Sequence, residues 1–389
     1  MTKVIDADIV VVGAGLVGLS AAIAFAKQHK KVVLIDAKKP EIEKTQDWDA
    51  RIYALTPGTE DWLKALDVWQ HVDSSRVNPI HAMHLWDESG EKLELNDGDA
   101  NLSKLGVIVE NQNLMFALWQ QIKALDVTVV TDAKCSHLEN TIHGVKLHLT
   151  NETQIAAKLI IAADGVNSWI RAQTNIAVKQ KDFHQTAIVA NFSTEKVHQN
   201  IARQWFAEHE TLALLPLVGK NVSLVWSVST ERAAQLLILP SAQFSTVLKA
   251  RSYDALGELM QIGNTASFVL QQQTASNLIA ERVVLMGDAA HQIHPMAGQG
   301  VNLGFRDVMQ LASLATKLHV MQDVGEYTFL RQYARARGMD IASMNMLTTG
   351  LDYLFASENA AVKKATNWGL RQLNQQTAIK KLLIQQVAA

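Results

Sequence analysis

The chain has 389 residues, 48% hydrophobic and 19% charged, which is more than one compact core usually holds, so two domains or one elaborated domain is expected. Its 36 basic and 38 acidic residues give a formal net charge of −2, which argues against a nucleic-acid-binding protein. The single cysteine, Cys135, excludes an internal disulfide, and no apolar run reaches the roughly 18–20 residues of a membrane span. We therefore expect a cytoplasmic protein.

A strand–helix–strand unit opens the chain. ADIVVVG over residues 7–13 and KVVLID over 31–36 predict buried strands, and LVGLSAAIAFAK over 16–27 predicts the helix between them. Gly13, Gly15 and Gly18 have the G-x-G-x-x-G spacing, and Asp36 ends the second strand. This pattern fits a tight turn, close approach to a pyrophosphate, and a carboxylate that accepts from ribose hydroxyls. It predicts dinucleotide binding without separating FAD from NAD.

Two later strands also end in a glycine and an acid. KLIIAA over 158–163 precedes Asp164-Gly165, and RVVLM over 282–286 precedes Gly287-Asp288, so both are expected to return to the first sheet. Between them, residues 186–192, 201–206 and 222–228 have strand character, and 242–262 predicts a helix. An antiparallel layer inserted into an α/β sheet is therefore expected. After Gly300 the sequence predicts helix to its end.

The stretch from Gly287 to Asp307 carries a second ligand-binding pattern. Gly298-Gln299-Gly300 precedes a predicted helix, whose first backbone N–H groups would point at an electron-rich group. The N1–C2=O2 edge of a flavin, which becomes negative on reduction, is such a group. Asp288 would then accept a hydrogen bond from a ribityl hydroxyl.

These motifs resemble those of the ubiquinone-biosynthesis hydroxylases, which are class A FAD-dependent aromatic monooxygenases with the para-hydroxybenzoate hydroxylase fold. DARIYALTPGTEDWLKALDVW (49–69), GVIVENQNLMFALW (106–119) and ALLPL (213–217) extend the resemblance over essentially the whole chain. It implies an α/β (α+β overall) fold in three parts. These are a discontinuous Rossmann-like FAD-binding domain (1–75, 100–183 and 276–330), an interleaved antiparallel-sheet substrate domain (76–99 and 184–275) and a helical C-terminal region (331–389).

The same resemblance implies which residues form the site. The implied FAD contacts are Gly13, Ala14, Gly15, Gly18, Asp36, Arg51, Gln112, Asp164, Gly287, Asp288, Pro295, Gly298, Gly300, Val301 and Asn302. Gln112 stands where the family commonly has arginine, and Arg51 is alternatively a solvated surface charge. The candidates for an apolar substrate wall, which are alternatively plain core, are Leu212, Leu214, Leu215 and Trp226. The candidate catalytic residues are His291, His294 and Pro295. The two histidines would relay a proton, and are alternatively loop residues held by hydrogen bonds.

The implied chemistry belongs largely to the cofactor. NAD(P)H would reduce FAD, O2 would give a C4a-hydroperoxyflavin, and a hydroxyl would pass to the ring of a polyprenylated phenol or benzoquinol in ubiquinone biosynthesis. No second G-x-G-x-x-G is present, so the reductant would bind transiently, and no metal or Ser-His-Asp set is expected. Two alternatives are open: a hydroxylase of a soluble aromatic, and a non-catalytic flavoprotein subunit of a quinone-synthesis complex.

The end of the chain differs in charge from the rest. After Glu358 there are five basic residues and no acidic one, whereas residues 1–358 carry 31 basic and 38 acidic residues, a net charge of −7. This tail predicts contact with anionic lipid at the inner membrane or with an acidic partner, such as another ubiquinone-biosynthesis protein. A solvated helix end is the alternative, and a homo-oligomer is compatible with the sequence.

Overall fold

The computed structural model describes residues 4–40, 47–141, 144–207, 210–293, 299–319, 322–356 and 360–388. In these ranges the strands β1 to β21 are, in chain order, Val4–Asp6, Ile9–Val12, Val32–Ile35, Ile52–Leu55, Asn78–Ile80, Ala82–Trp86, Lys92–Asn96, Gly106–Glu110, Val127–Val130, Cys135–Thr141, Gly144–Leu149, Gln154–Ala157, Leu159–Ala162, Val178–Thr194, Ile201–Ala207, Glu210–Leu217, Asn221–Ser229, Leu259–Ala275, Ile279–Ala280, Val283–Leu285 and His291–Gln292. The helices α1 to α10 are Leu16–Lys27, Pro57–Ala65, Asn111–Lys123, Trp169–Gln173, Thr230–Leu237, Ser241–Arg251, Gly300–Ala315, Tyr327–Ala356, Ala360–Gln375 and Thr377–Ala388.

A six-stranded sheet of order β19-β20-β13-β2-β3-β9 forms the nucleotide-binding half, and all its pairs except β19–β20 are parallel. The four predicted strands of this unit are confirmed as β2, β3, β13 and β20. β13 lies between β2 and β20, so the later strands do return to the first sheet. The segments that follow the strands therefore meet at one carboxyl edge, where α/β folds bind ligands.

An eight-stranded sheet of order β21-β18-β14-β17-β16-β15-β6-β7 forms the inserted layer, and within it only β15 and β6 pair in parallel among the strands described. Helices α5 and α6 cover one face through an apolar cluster that includes Phe192, Phe244 and Leu248. The other face meets the segment before β4, where the Asn191 side chain donates to the Asp49 carbonyl at 2.9 Å. The predicted antiparallel layer is thus present, and the exact domain boundaries stay predictions.

Two smaller sheets complete the strand architecture. One has the order β1-β12-β11-β10, and the other has the order β4-β8-β5. The main core lies between the parallel sheet and helices α1, α3, α7 and α8, and includes fully buried Ile9, Phe25, Phe305 and Tyr333. No helix in the described part of the chain has both the length and the apolar character needed to cross a bilayer.

The helix predicted over 242–262 is wrong beyond residue 251. α6 ends at Arg251, and the chain enters β18 at Leu259 after left-handed φ values at Tyr253 (52°), Asp254 (54°) and Gly257 (71°). Leu259 pairs with Thr194 of β14, and the two strands then run antiparallel as far as Ala275. Apolar spacing alone could not reveal this, because the long pairing partner decides the conformation.

The C-terminal helices α9 and α10 dock on the edge strand β7 and its flanking turns. Lys363 pairs with Glu88 at 3.1 Å, Lys380 pairs with Asp99 at 3.0 Å, and Arg371 pairs with Glu91. Lys380 is buried, and its ammonium also donates to a backbone carbonyl of β7. Three of the five basic tail residues thus neutralise acidic groups of the same chain, which reduces the charge that the tail offers to a lipid or partner.

His84 on β6 makes the folded protein sensitive to acid. Burial lowers the pKa of His84 from 6.5 to about 4, with the Lys92 charge adding to the effect and the Glu94 charge opposing it. Between pH 6.5 and about pH 4, His84 of the unfolded chain binds a proton that His84 of the folded chain does not. Stability therefore falls as the pH falls through this interval.

The pH dependence of thermal unfolding checks this. The Tm of the protein should decrease from pH 6.5 toward pH 4, and His84→Gln should flatten that decrease. His319→Gln replaces an exposed histidine and serves as the control, which should keep the slope of the unaltered protein. An equal slope in His84→Gln and the unaltered protein would contradict the assignment.

Candidate active site

The glycine turn between β2 and α1 has two glycines that the backbone requires. Gly13 has φ 102°, and a Cβ there would lie 2.2 Å from the Ala163 carbonyl oxygen. A Cβ on Gly18 would lie 1.8 Å from the Gly13 oxygen, so α1 packs directly on the turn. Gly15 is different, because a Cβ there would meet none of the described atoms within 4 Å. The turn therefore leaves open space at Gly15, where α1 begins without a side-chain cap and its first N–H groups remain available.

Asp36 helps to shape this turn. One carboxylate oxygen accepts from the Ala14 N–H at 2.7 Å, and the other accepts from the Lys38 N–H at 2.9 Å. An ionised carboxylate offers about four lone-pair positions, so acceptor capacity remains for a ribose hydroxyl. The structure thus brings Asp36 to the glycine turn, as the sequence predicts.

A cavity of about 480 Å³ opens at this edge of the parallel sheet, within the usual size range of ligand pockets. It combines the glycine turn, Asp36, the loop after β9 and the Asp164-Gly165 turn in one concave surface. The lining residues are Val12, Gly13, Gly15, Ile35, Asp36, Ala37, Ala133, Lys134, Cys135, Ala163, Asp164, Gly165, Asn167 and Trp169.

Asp164 presents unused hydrogen-bonding capacity at this cavity. Its Oδ2 accepts from the Ile170 N–H at 3.1 Å, whereas its Oδ1 is buried and has no partner among the described residues. A buried carboxylate oxygen without a donor is costly, so a ligand hydroxyl here would be favourable. The neighbouring Cys135 is a neutral thiol, because burial, together with the Asp164 charge, raises its pKa to about 12.

Arg171 joins the two glycine-acid loops. It is 8% exposed, and its guanidinium donates to the carbonyls of Val166 and Ala289, both at 2.8 Å. Val166 follows Asp164-Gly165, and Ala289 follows Gly287-Asp288, so one side chain fixes the spacing of the two loops. Ser168 caps α4 by accepting from the Arg171 N–H at 3.0 Å, which orients this helix.

Asp288 and Arg51 form a second part of the site. Asp288 is accessible to solvent yet surrounded by protein, as expected at the floor of a cleft. This desolvation raises its pKa, while the charges of His291 and Arg51 oppose the rise. The Arg51 guanidinium lies 5.1 Å from the ring centroid of Phe268. Gln112, at the start of α3, is exposed, and its N–H donates to Asp49 at 3.0 Å in the same segment as Arg51.

The first turn of α7 contains Gly300, Val301 and Asn302. A Cβ on Gly300 would meet its nearest described neighbour, Ile293, only at 4.0 Å, so space lies beside the helix start. The Asn302 side chain is fully buried, accepts from the Thr56 N–H at 3.1 Å and donates to the Ala54 carbonyl at 2.8 Å. The prediction that Asn302 lines the isoalloxazine is therefore corrected for its side chain, which binds the protein itself, and applies only to its main chain.

Removing this bridge should lower stability. Asn302→Ala would leave the Ala54 carbonyl and the Thr56 N–H without their partner, at about 1–3 kcal/mol for each buried group. Asn302→Asp keeps the acceptor for Thr56 but replaces the donor to Ala54 by a buried, unpaired carboxylate, so it should cause a loss at least as large. Urea unfolding of the FAD-free protein measures the difference, and equal stability of Asn302→Ala and the unaltered protein would contradict the bridge.

His291 lies inside the protein. It is 2% exposed, and its Nε2 is 2.7 Å from Asp307, a fully buried carboxylate. This geometry supports the alternative that His291 is held by hydrogen bonds, and its role in proton transfer stays a prediction. His294, Pro295 and Gly298 lie outside the described residues.

The predicted substrate wall is corrected for three of its four residues. Leu212, Leu214 and Trp226 are at most 1% exposed and pack in the cluster under α5 and α6. They belong to the helix-covered face of the sheet, since adjacent residues of a strand alternate between faces. Leu215 points to the opposite face and packs near Trp48 and Ile52, toward the nucleotide-binding half.

Sequence reasoning missed several residues that shape the site. Arg171 follows the Asp164-Gly165 turn on α4, and Asp307 ends the stretch that begins at Gly287. A charged residue shortly after each glycine-acid pair was the available signal. Val17 contacts both Gly287 and Gly304, where added Cβ atoms would lie 3.1 Å and 2.6 Å from its Cγ2. The loop 133–135 follows β9, and only its place beside β3 brings it to the cavity.

Comparisons with known proteins agree with this geometry. Residues 6–347 match the family model described as FAD binding domain. The chain is 32% identical over 381 residues to the ubiquinone hydroxylase UbiL of Rhodospirillum rubrum, covering 97% of this chain and 88% of that protein. The chain belongs to the FAD-dependent ubiquinone hydroxylase family. The protein is accordingly an FAD-dependent monooxygenase that uses NAD(P)H and O2, as the resemblance implied.

More distant relatives extend over the same length. The human mitochondrial ubiquinone biosynthesis monooxygenase COQ6 is 29% identical over 428 residues, covering 97% of this chain and 91% of that protein. The crystal structure of p-nitrophenol 4-monooxygenase PnpA from Pseudomonas putida superposes with a TM-score of 0.80 at 16% identity, covering 100% and 99% of the two chains. Klebsiella pneumoniae HpxO, solved with FAD and uric acid, superposes with a TM-score of 0.76 at 17% identity, covering 98% and 96%. The two structures show that this family member shares their fold.

Proposed function

We propose that the protein hydroxylates the aromatic ring of a polyprenylated phenol or benzoquinol in ubiquinone biosynthesis, with NAD(P)H as the electron donor and O2 as the oxygen source. The cofactor half of this proposal rests on the site geometry. The substrate half rests on family membership, since the relatives named ubiquinone hydroxylase and ubiquinone biosynthesis monooxygenase span nearly the whole chain.

One observation supports the binding of FAD by these residues. The cavity at the glycine turn has open space at Gly15 on one side and the unpartnered Oδ1 of Asp164 on the other. A pyrophosphate would lie at the start of α1, where N–H groups and the helix dipole favour negative charge. Asp36 would accept from the ribose, Asp288 would accept from the ribityl chain, and the first turn of α7 would face the isoalloxazine. Bound FAD would supply the reduction and oxygen-activation chemistry.

The protein's own contribution is binding, orientation and exclusion of water. The sheet face opposite α5 and α6 would supply the substrate surface, because its residues point toward the nucleotide-binding half. This face carries the apolar residues Ala187, Val189, Ala213, Leu215 and Val225 together with the polar residues Asn191, Ser223 and Ser227. Its apolar members suit a flat ring with an apolar chain, and its polar members offer hydrogen bonds to ring hydroxyls.

Incorporation of labelled oxygen tests the reaction. Purified protein, NADPH and isotopically labelled O2 should add one labelled oxygen atom to a prenylated phenol, detected by mass spectrometry of extracted lipid. Gly15→Ala serves as the FAD-deficient control and should show no incorporation. Labelling of a soluble phenol alone would favour the soluble-substrate alternative, and NADPH oxidation without labelling of any prenylated ring would favour the non-catalytic one. A deletion strain should accumulate the unhydroxylated lipid.

We further propose that the protein is cytoplasmic and contacts the inner membrane peripherally through α10. Ile379 is 38% exposed and Leu382 is 66% exposed on this helix, one turn apart and beside Lys381. An apolar strip next to a lysine is the pattern of an interfacial helix. Because much of the tail charge is paired within the chain, the apolar strip would provide the main contact with the membrane.

Co-sedimentation with anionic liposomes tests the contact. Leu382→Glu should reduce the sedimented fraction, whereas Ile238→Glu, at an 82% exposed isoleucine far along the chain, should not. Equal sedimentation of both variants and the unaltered protein would overturn this proposal and would favour contact with a protein partner instead.

A further inference from the structure

Asp307 of α7 is a fully buried carboxylate that gathers donors from three different elements. The Gly287 N–H donates to its Oδ2 at 2.9 Å, and His291 Nε2 lies 2.7 Å from the same oxygen. Arg337 of α8 donates from its Nε to Oδ1 at 2.7 Å. One side chain thus connects the turn after β20, strand β21 and the first helix of the C-terminal region.

The cost of burying a carboxylate shows that this arrangement requires all its partners. Burial by itself would raise the pKa of Asp307, but His291, Arg337 and the Gly287 N–H together lower it, so the group is ionised at neutral pH. A buried ionised group is stable only when it is paired and hydrogen-bonded. Replacing the two charges by apolar groups is often neutral for stability, whereas removing only one is destabilising.

The position of Gly287 gives this network a link to the cofactor site. Gly287 has φ 56° and directly precedes Asp288, the residue expected at the ribityl chain. Its N–H bond to Asp307 sets where the turn lies relative to α7, whose first turn would face the isoalloxazine. Arg337 also donates to the Leu303 carbonyl at 3.2 Å and pairs with Asp340, so α8 holds α7 along the same side.

We propose that Asp307 is a positioning residue for FAD, and that Arg337 makes α8 part of the cofactor site although it touches no cofactor. The helical region that begins near residue 331 is therefore more than a tail, because its first helix sets the geometry of the Gly287-Asp288 turn. This inference concerns FAD affinity alone and does not depend on which substrate is hydroxylated.

Quenching of FAD fluorescence on titration with FAD-free protein measures the effect. Asp307→Asn should raise the Kd for FAD roughly tenfold or more and should change the shape of the bound flavin absorption spectrum. Arg282→Met is the matched control, since it removes another buried guanidinium, which donates to Asp323 at 2.9 Å at the opposite end of β20. Its Kd should stay that of the unaltered protein.

The double variant Asp307→Asn with Arg337→Met separates positioning from folding. It removes both buried charges, so the Tm of the FAD-free protein should recover relative to the single variant, while the Kd for FAD should remain raised. It also serves if Asp307→Asn alone fails to fold. A Kd that recovers together with the Tm, or an unchanged Kd in Asp307→Asn, would overturn the proposal by showing that the network only supports the fold.

Discussion

Gly15→Ala should yield a folded protein that has lost its FAD. A methyl group at this position meets no described atom within 4 Å, so the turn and α1 can form as before. The same methyl group would occupy the space through which the backbone approaches the pyrophosphate. We expect the Kd for FAD to rise by roughly 100-fold or more, since several backbone hydrogen bonds to phosphate are lost together. Visible flavin absorbance per protein measures the bound fraction, and circular dichroism measures the fold.

Gly18→Ala is the contrasting variant. Its methyl group would lie 1.8 Å from the Gly13 oxygen and 3.3 Å from the Ala163 side chain, so the helix and the strands cannot keep their packing. This variant should lose thermal stability even without cofactor. If Gly15→Ala retained stoichiometric FAD, the pyrophosphate would have to lie elsewhere, and the placement of the cofactor at this turn would be wrong.

Arg171→Met should destabilise the folded protein. The buried guanidinium donates to the Val166 and Ala289 carbonyls, and the variant removes both bonds. The Val166 carbonyl keeps the Gln273 amide as a donor at 2.9 Å, so the Ala289 carbonyl is the one that loses its side-chain partner. Burial lowers the pKa of Arg171, while the Asp164 charge opposes this lowering. One buried carbonyl without its donor predicts a loss of about 1–3 kcal/mol in the free energy of unfolding.

Urea unfolding of FAD-free protein measures this loss, with Arg232→Met as the control. Arg232 is an exposed residue of α5, and its replacement should change the free energy of unfolding by less than about 0.5 kcal/mol. A loss below about 1 kcal/mol in Arg171→Met would show that the spacing of the two glycine-acid loops does not depend on this side chain.

Motifs that are far apart in the sequence come together in one site. Gly13, Asp36, Asp164 and Gly287 are far apart in sequence, and each lies at the carboxyl end of a parallel strand. The βαβ geometry and the strand order place them at one edge, so the cavity follows from topology once the strands are recognised. His84 and the docked C-terminal helices lie on the inserted layer instead. Substitutions of His84 or of the tail should therefore change the properties of that layer and not the cofactor site.

The local patterns of the sequence determined the nucleotide-binding half. Short β-branched runs, the glycine turn and the terminal acids depend on neighbouring residues only, so β2, α1, β3, β13 and β20 could be predicted together with their parallel pairing. The dinucleotide site follows from the same signals, since the φ of 102° at Gly13 and the close contact of Gly18 with the Gly13 oxygen arise within the turn itself.

Tertiary structure alone decided the rest. Residues 259–262, the start of β18, fall within a predicted helix because their conformation depends on pairing with β14. The two faces of β16 and β17 are distinguished only by which face α5 and α6 cover. The side-chain bridges made by Arg171, Asn302 and Asp307 join residues more than 100 positions apart or lie between helices, so no local pattern announces them. The distribution of charge along the chain is likewise explained only by tertiary structure, because the basic tail pairs with acidic residues of its own chain.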